Sequence, residues 1–560
     1  MTLDFSRCRL PPFQHQREDT ATLMASPYLF ITSEMRTGKT KIVIDAAQFL
    51  WAEGKIDYVV VIAPAPVRDV WFGRDLGELR KHLWPDTPAT VVEFHSRTRG
   101  WNWGPPEPSK RLQWIVTNYE FLRVKGHADD LAPYCTTRTL LVCDESSYLK
   151  NWDAQQTKAA YRLRLRCGRV VLLNGTPISH TVLDLFSQGN FLHPNILQCK
   201  YITHYKARYA KQEPILNTKG EALKSDRGFA LQRVVGWTNL EDIQRRFAPY
   251  VIRRLQKDCL DLPPKLDPVV LTAELTPATW KIYKQMRDEL VVWLSDNTVA
   301  TAGQAAIKTL RLAQITSGFL GGIEDAMDTD EADEVLPGFF ESLDLDEFMD
   351  RGGDSVERTA LAAVMQTETY KQIRQTPPRV IDPTKAVGRE KLDVLLWFIG
   401  QQLEADDHLH VVTWCRFRPE MIRMMEDITK TYPQFTTGRL MGGQKKAERE
   451  AAMRLLHPET SPPGPVFVGG TYGTGSFGVN FTAAHLSINV SFDFSLGKFL
   501  QAKDRVYGPG QTKPVAYFDI VATGPRGQKT IDHHIVAARQ NNENIAEWTT
   551  SMWVQKLTEE

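Results

Sequence analysis

Several features are scarce or missing in this 560-residue sequence. None of its seven cysteines (Cys8, Cys135, Cys143, Cys167, Cys199, Cys259, Cys415) forms a Cys-x-x-Cys pair. An odd, scattered set of this kind argues against a zinc module and a disulfide framework and reads as reduced thiols. Net charge is almost absent, +1 from 68 Lys/Arg and 67 Asp/Glu, so no polyanion partner follows from bulk charge and any nucleic-acid surface must be local. No apolar run is long enough to span a bilayer, and the first residues lack a charged-then-apolar secretory pattern. These absences lead us to expect a soluble chain of the cytoplasm with no membrane partner. Solenoid-type repeats are also missing. What is present is ordinary globular material, 42% hydrophobic and 24% charged, enough for a sizeable core. The length suggests roughly three to four domain-sized units, or two large lobes with insertions.

From Tyr28 to about His180, short apolar runs alternate with amphipathic stretches. The runs are Tyr58–Ile62, Thr90–Val92, Trp114–Val116, Leu140–Cys143 and Val170–Leu173. Continuous Val/Ile/Leu runs suit parallel strands buried on both faces, so a doubly wound α/β lobe is expected, with ligands at the carboxyl ends of its strands. Cys143 reads as a buried small hydrophobe. Between residues 200 and 265 strand-like runs largely vanish, and 14 Lys/Arg face 7 Asp/Glu, consistent with a helical protrusion touching a phosphate backbone or with a solvated helical surface. A second α/β lobe begins near Leu266. Thr276-Pro277 reads as a helix start, strands are predicted at 410–414, 465–468, 486–490 and 515–520, and amphipathic segments start near Glu390, Arg418, Lys445 and Leu496. One stretch interrupts this lobe. Residues 324–354 hold 13 acidic residues and a single arginine, Arg351, with no glycine or glutamate where a calcium-binding loop counted from Asp328 would need them. A mobile acidic loop or an intramolecular mimic of nucleic acid is expected there.

Chemistry concentrates at Ser33-Glu34-Met35-Arg36-Thr37-Gly38-Lys39-Thr40. An apolar run leads in and an amphipathic run leads out, so strand, tight loop and helix would cradle phosphate. Backbone N–H groups around Thr37 and Gly38 meet anionic oxygens, Lys39 reaches the terminal phosphates, and the Thr40 hydroxyl can hold Mg²⁺. The second part is Asp144-Glu145, directly after Leu140–Cys143. A carboxylate at a strand end can hold the metal through water, and its neighbour can activate the attacking water. Asp144 is therefore the candidate metal ligand and Glu145 the candidate base.

With these in place, the chain resembles the superfamily-two helicases, and most closely the Swi/Snf-type double-stranded DNA translocases. Pro12-Phe13-Gln14-His15-Gln16 is similar to the glutamine motif that reads adenine, with Gln16 the first choice and Gln14 the alternate. Ile62-Ala63-Pro64 with Val70-Trp71, Thr117–Glu120, Asp144–Asn151 and Leu173–Ile178 resemble the motifs that follow in order. Ile252–Asp258 with Leu262–Lys265 resembles the inter-lobe linker of such motors. Gly388–Leu392 and Gly442–Arg449 fit the start and middle of the second lobe. Gly475–Ala484, including Gly478, is similar to the glycine-rich fifth motif, and Gln501–Gln511 to the closing motif.

The resemblance implies two RecA-like doubly wound parallel-sheet lobes with helical insertions, binding ATP and Mg²⁺ between them. The implied division is 1–189 for the first lobe and 190–265 for a helical protrusion and linker. Residues 266–535 would form the second lobe with an acidic insertion at about 321–380, and 536–560 a helical tail. Arg505 would be the arginine finger, with Gln501 beside it in the closing motif. Asn118 and Thr471 to Gly475 lie in turns suited to gripping DNA, and Arg253 and Arg254 in the linker are further candidates for nucleic-acid contact. The implied activity is ATP-dependent movement on double-stranded or branched DNA by a monomeric motor, with a protein partner conceivable in a larger restriction or repair assembly. A strand-separating DNA or RNA helicase, and an ATP-binding DNA scaffold with weak turnover, remain alternatives.

The departures from the family pattern are specific. Arg36 stands where glycine is common, and Ser147 replaces a histidine. The closing motif usually has two arginines three residues apart, and here they are Arg505 and Gly508. The stretch from His95 to Arg111 mixes cations with Trp101 and Trp103, as a DNA-edge contact or a packed hairpin would. The tail contains Trp548 and Trp553, and no nuclease, zinc or histone-reading module is visible, which suggests a compact motor of bacterial or viral type.

Overall fold

Short runs of β-branched and aliphatic residues cannot bury themselves singly, and here they assemble into two parallel sheets. The computed structural model describes residues 3–72, 77–95, 110–175, 182–214, 222, 232–296, 310–321, 386–475, 480–493, 496–537 and 539. Most of the 95–111 stretch, nearly all of the acidic insertion, residues 176–178 and 476–479 (Gly478 among them), and the tail beyond 539 lie outside them.

Strands are numbered along the chain: β1 Tyr28–Ile31, β2 Tyr58–Ala63, β3 Ala89–Glu93, β4 Leu112–Asn118, β5 Thr139–Cys143, β6 Arg169–Leu173, β7 Ala210–Pro214, β8 Gln232–Trp237, β9 Val251–Ile252, β10 Val269–Glu274, β11 His410–Cys415, β12 Thr436–Leu440, β13 Val466–Thr471, β14 Leu486–Asn489 and β15 Ala516–Thr523. The first sheet runs β3-β4-β2-β5-β6-β1-β9 and the second β10-β15-β14-β11-β13-β12. Every strand pair described within these two sheets is parallel. Strand order reverses within each, as in doubly wound folds.

Contacts divide the chain into two compact units, the first drawing on residues up to 211 and 236–261, the second on 212–235 and 262–544. In the first, Val60, Ile62, Leu141, Cys143 and Leu172 are buried beneath Tyr119, Phe186 and Leu163. Residues 190–211 and 236–261, expected to protrude, contribute to that same core through Phe191, Leu197, Tyr205, Tyr209, Ile243 and Phe247. Their cations are partly spent locally, since Asp242 accepts from Arg245 and Arg246. In the second unit, helices Glu390–Ala405, Arg418–Thr431, Lys446–Leu455 and Leu496–Lys503 start where the amphipathic pattern placed them. The helix at Pro277 opens with Thr279 N–H donating to Thr276 Oγ1 at 3.3 Å. Edge strands β10 and β12 and the two-residue β9 were not foreseen. Among the described residues, no helix is long and apolar enough to cross a membrane.

Candidate nucleotide site

β1 ends at Ile31, and Thr32–Gly38 turn the chain into the helix Lys39–Ala52. The turn uses two residues with left-handed backbone, Arg36 (φ 66°) and Gly38 (φ 86°). Glycine is required at 38 on two counts, because a Cβ there would also lie 2.1 Å from Gln16 Nε2. Arg36 adopts a conformation that glycine takes freely and an L-residue takes at a cost of ~1 kcal/mol. That explains why glycine suits this position and shows that the loop closes without it.

Lys39 folds over its own loop, Nζ donating to Ser33 O (2.8 Å) and Glu34 O (3.1 Å). Thr37 is buried and its Oγ1 donates to Glu34 O at 2.8 Å, so this side chain closes the loop. Thr40 is half-buried in the first turn of the helix. The glutamine-motif helix, Gln14–Ala25, supports the loop from one side. His15 Nε2 lies 2.8 Å from Thr37 O, and Gln16 Nε2 donates to the same carbonyl at 3.2 Å while its Oε1 accepts from Phe13 N–H. Gln14 is exposed and donates to Glu18. Of the two glutamines, Gln16 is the one at the loop. His15 carried no signal in the sequence beyond its place between them.

The segment after β9 supports the other side. Thr32 N–H donates to Ile252 O and Glu34 N–H to Arg254 O; Gln256 donates its N–H to Glu34 Oε2 and its amide to Met35 O, both at 2.7 Å. Arg253 is buried, and its guanidinium donates to Thr32 O and to Gly175 O. Arg254 pairs with Asp19 at 2.7 Å and Glu18 at 3.0 Å. Burial raises the Asp19 carboxyl above its ordinary range, and Arg254 opposes that. Arg253 and Arg254, read from the sequence as nucleic-acid contacts, are engaged here by the phosphate loop and by the glutamine-motif helix. Their charges are taken up inside the first unit because the loop leaves carbonyls and carboxylates that need donors. Sequence shows the cations but not which buried acceptors they meet.

Asp144 follows β5 and is buried. Trp71 Nε1 donates to its Oδ2 at 2.7 Å and Glu145 N–H to its Oδ1 at 2.9 Å. Burial lifts its carboxyl above the ordinary range, and the Trp71 bond and the charge of Lys39 act against that. The influence of Lys39 brings loop and acidic motif into one electrostatic neighbourhood. Tyr119 OH donates to Asp144 O at 2.9 Å. Glu145 is left-handed (φ 48°) and half-buried, so the chain reverses at the candidate base. Trp71 already belonged to a quoted motif; its indole partner was not legible from spacing. Asn118, at the end of β4, is largely buried and donates to Glu120 at 2.9 Å.

In the second unit, Thr471 ends β13, largely buried and bonded to Thr474, and Gly475 closes the short helix after it. Gln501 is buried on the helix Leu496–Lys503, with Oε1 lacking a hydrogen-bond partner among the described residues. Arg505 follows in a turn, half-buried, and its carbonyl accepts from Phe481 N–H. The turn is fastened to the linker. Tyr507 OH donates to Pro263 O at 2.9 Å, and Lys265 pairs with Asp504 at 3.2 Å and lies 4.9 Å over the Tyr507 ring.

A phosphate loop with an acidic pair in one parallel-sheet unit and a second parallel-sheet unit bearing the closing motif define a helicase-like nucleotide-binding class. The model of the SNF2-related domain matches residues 25–320, more than half of the chain, and the chain belongs to that family. It is similar to the SWI/SNF-related matrix-associated actin-dependent regulator of chromatin subfamily A containing DEAD/H box 1 homolog of Caenorhabditis elegans, 24% identical over 88% of this chain and 47% of that protein. It is also similar to the TATA-binding protein-associated factor MOT1 of Saccharomyces cerevisiae, 24% identical over 77% of this chain and 21% of that one. The DNA repair and recombination protein RAD54 of Oryza sativa subsp. japonica is 30% identical over 29% of this chain and 15% of its own. The chain thus spans about half the length of the first relative and about a fifth of the second. A solved SWI2/SNF2 ATPase core of Sulfolobus solfataricus in complex with dsDNA aligns over 100% of this chain and 98% of its own at 18% identity with a TM-score of 0.38, too weak a superposition to bear on the fold, which rests on the sheet order above.

Proposed function

We propose that the chain is a DNA-dependent ATPase that binds double-stranded DNA and moves along it by ATP hydrolysis. The observation that carries the proposal is the sheet order β5-β6-β1, which sets Asp144, after β5, one strand away from the phosphate loop that follows β1, near enough for the charge of Lys39 to act on its carboxyl. Membership of the SNF2-related family supports the same reading.

The residues fit ATP with Mg²⁺. Lys39 donates to the backbone carbonyls of Ser33 and Glu34, bonds that phosphate oxygens can replace. Asp144 is a buried carboxylate whose ionised form a cation would favour. Thr40 and Asp144 would hold the metal, the latter through water. Bound Mg²⁺ would neutralise charge on the transferring phosphoryl group. Glu145 would orient and deprotonate the attacking water. Gln16, Thr37, Gly38 and Gly478 would bind nucleotide. Arg505 would stabilise transition-state charge, with Gln501 beside it, and Asn118, Thr471 and Gly475 would lie along DNA. Ser147, where the family pattern has histidine, supplies a smaller hydroxyl to the coupling between hydrolysis and movement.

The test is steady-state ATP turnover with linear duplex, forked, four-way and single-stranded DNA. Duplex stimulation abolished by Glu145→Gln is the expected result. No stimulation by any DNA would reject the motor. One observation favours a second reading: Gly508 occupies the position of the family's second arginine. An ATP-binding scaffold would bind nucleotide and DNA yet turn over equally with and without Arg505.

A further inference from the structure

The first unit contains a cleft of about 650 Å³ that the nucleotide site does not use. Its walls come from the turn after β4 and from the helix Gln155–Arg164. Arg123, Lys125, Lys158 and Arg162 line it, and no acidic residue does. Lys158 is paired with Asp153 and Arg123 donates to Gln156, whereas Lys125 and Arg162 have no partner among the described residues. Two aromatic rings form an apolar wall, Trp152 and Tyr161, edge to face with centroids 4.9 Å apart.

Two further features point to an anion. The helix Gln155–Arg164 begins after Ala154 with no side-chain cap, so its first N–H groups and the positive end of its dipole stand at the cleft. Thr157, in the first turn, lines the cleft at 0% exposure, and its Oγ1 has no hydrogen-bond partner among the described residues. A buried hydroxyl of this kind is ordinarily satisfied, and a small shift of the cleft wall would open it to a ligand oxygen.

We propose that this cleft binds a single-stranded nucleic-acid segment, one phosphate at the helix start near Thr157, one base against Trp152 and Tyr161, and the cation of Arg162, on the last turn of the same helix, adding charge along the cleft. Size and shape favour a single strand, because a concavity of this volume takes about one nucleotide, whereas a duplex is convex and too broad to enter. Aromatic faces beside unpaired cations suit a base with its phosphate better than an acidic peptide, which has no ring to stack. The site stands apart from ATP turnover and holds whether or not the chain is a motor.

The experiment uses the full chain and a fluorescein-labelled eight-nucleotide oligothymidylate, read by anisotropy without nucleotide at about 100 mM salt. Lys125→Glu with Arg162→Glu, both exposed, should weaken binding about tenfold while duplex-stimulated turnover stays within about twofold. Trp152→Ala should weaken binding by a similar factor. Photocrosslinking of the same oligonucleotide with one thymine replaced by 5-iodouracil should mark Trp152 or Tyr161. Wild-type affinity in the double variant, with thermal melting showing it folded, would overturn the proposal. So would equal displacement of the oligonucleotide by a polyglutamate peptide of matched charge, which would make the cleft a docking site for an acidic protein. Loss of oligonucleotide binding in a chain whose turnover DNA never stimulates would support this site and reject the motor.

Discussion

The phosphate loop of the first unit and the closing motif of the second are built differently. The loop is tied by separate segments. Gln16 and His15 hold Thr37 O, Arg253 bridges Thr32 O and Gly175 O, and Gln256 holds Glu34 and Met35. The closing motif is a turn after one helix, fastened to the linker by Tyr507 and Lys265, with Gly508 where the family pattern has a second arginine. Under the proposed function, nucleotide binding would be pre-organised in the first unit, and efficient turnover would draw on the sparser closing motif.

The phosphate loop depends most heavily on Lys39. Lys39→Ala removes the ammonium that meets the phosphates, and we expect at least a hundredfold loss of ATP turnover, measured by phosphate release. Retained turnover would mean that the loop is not the catalytic nucleotide site. Arg253→Met comes next. It leaves buried carbonyls without their donor, which costs ~3 kcal/mol. Nucleotide affinity and the melting temperature should fall while DNA binding without nucleotide is unchanged. Selective loss of DNA binding would restore Arg253 as a nucleic-acid contact.

Trp71→Phe is smaller. It removes the indole bond to Asp144 and should raise the Mg²⁺ concentration for half-maximal turnover about tenfold. An equal loss of rate at all Mg²⁺ concentrations would make Trp71 a packing residue only.

The smallest effect contrasts a buried carboxyl of the second unit with Asp144. Glu420 is pushed up to about 7 by burial, opposed by Lys391 and its bond from Ser491, with Asp532 adding to the rise. Because the folded value exceeds the unfolded one, its protonated form stabilises the fold fully below about pH 4.5. That contribution, ~3 kcal/mol at most, is lost as pH rises through about 7. Glu420→Gln should melt higher than the parent at pH 8 and flatten the pH dependence of melting between these limits. An unchanged melting curve at pH 8 would show that Glu420 is not buried as an acid.

Both sheets were legible because strands buried on both faces are written as continuous runs such as Tyr58–Ile62 and Val170–Leu173. β12 was not, since Thr436–Leu440 is an edge strand with only Leu440 buried and no apolar run to betray it. The short β9 escaped for a related reason. Two residues carry no periodicity, yet they place Arg253 and Arg254 against the phosphate loop. Within the site, Lys39, Asp144 and Glu145 could be named from their residue types and their position after strands. Trp71, His15 and the linker arginines could be assigned only once long-range contacts were known, because a hydrogen-bond partner more than 20 residues away leaves no local trace.

The proposed turnover uses Arg505 without a second arginine. The direct measurement is duplex-stimulated ATP turnover and nucleotide affinity for the parent chain and for Arg505→Ala. We expect stimulation in the parent, a loss of turnover of about a hundredfold or more in the variant, and nucleotide affinity within a few-fold. Equal turnover in the two proteins would contradict the use of Arg505.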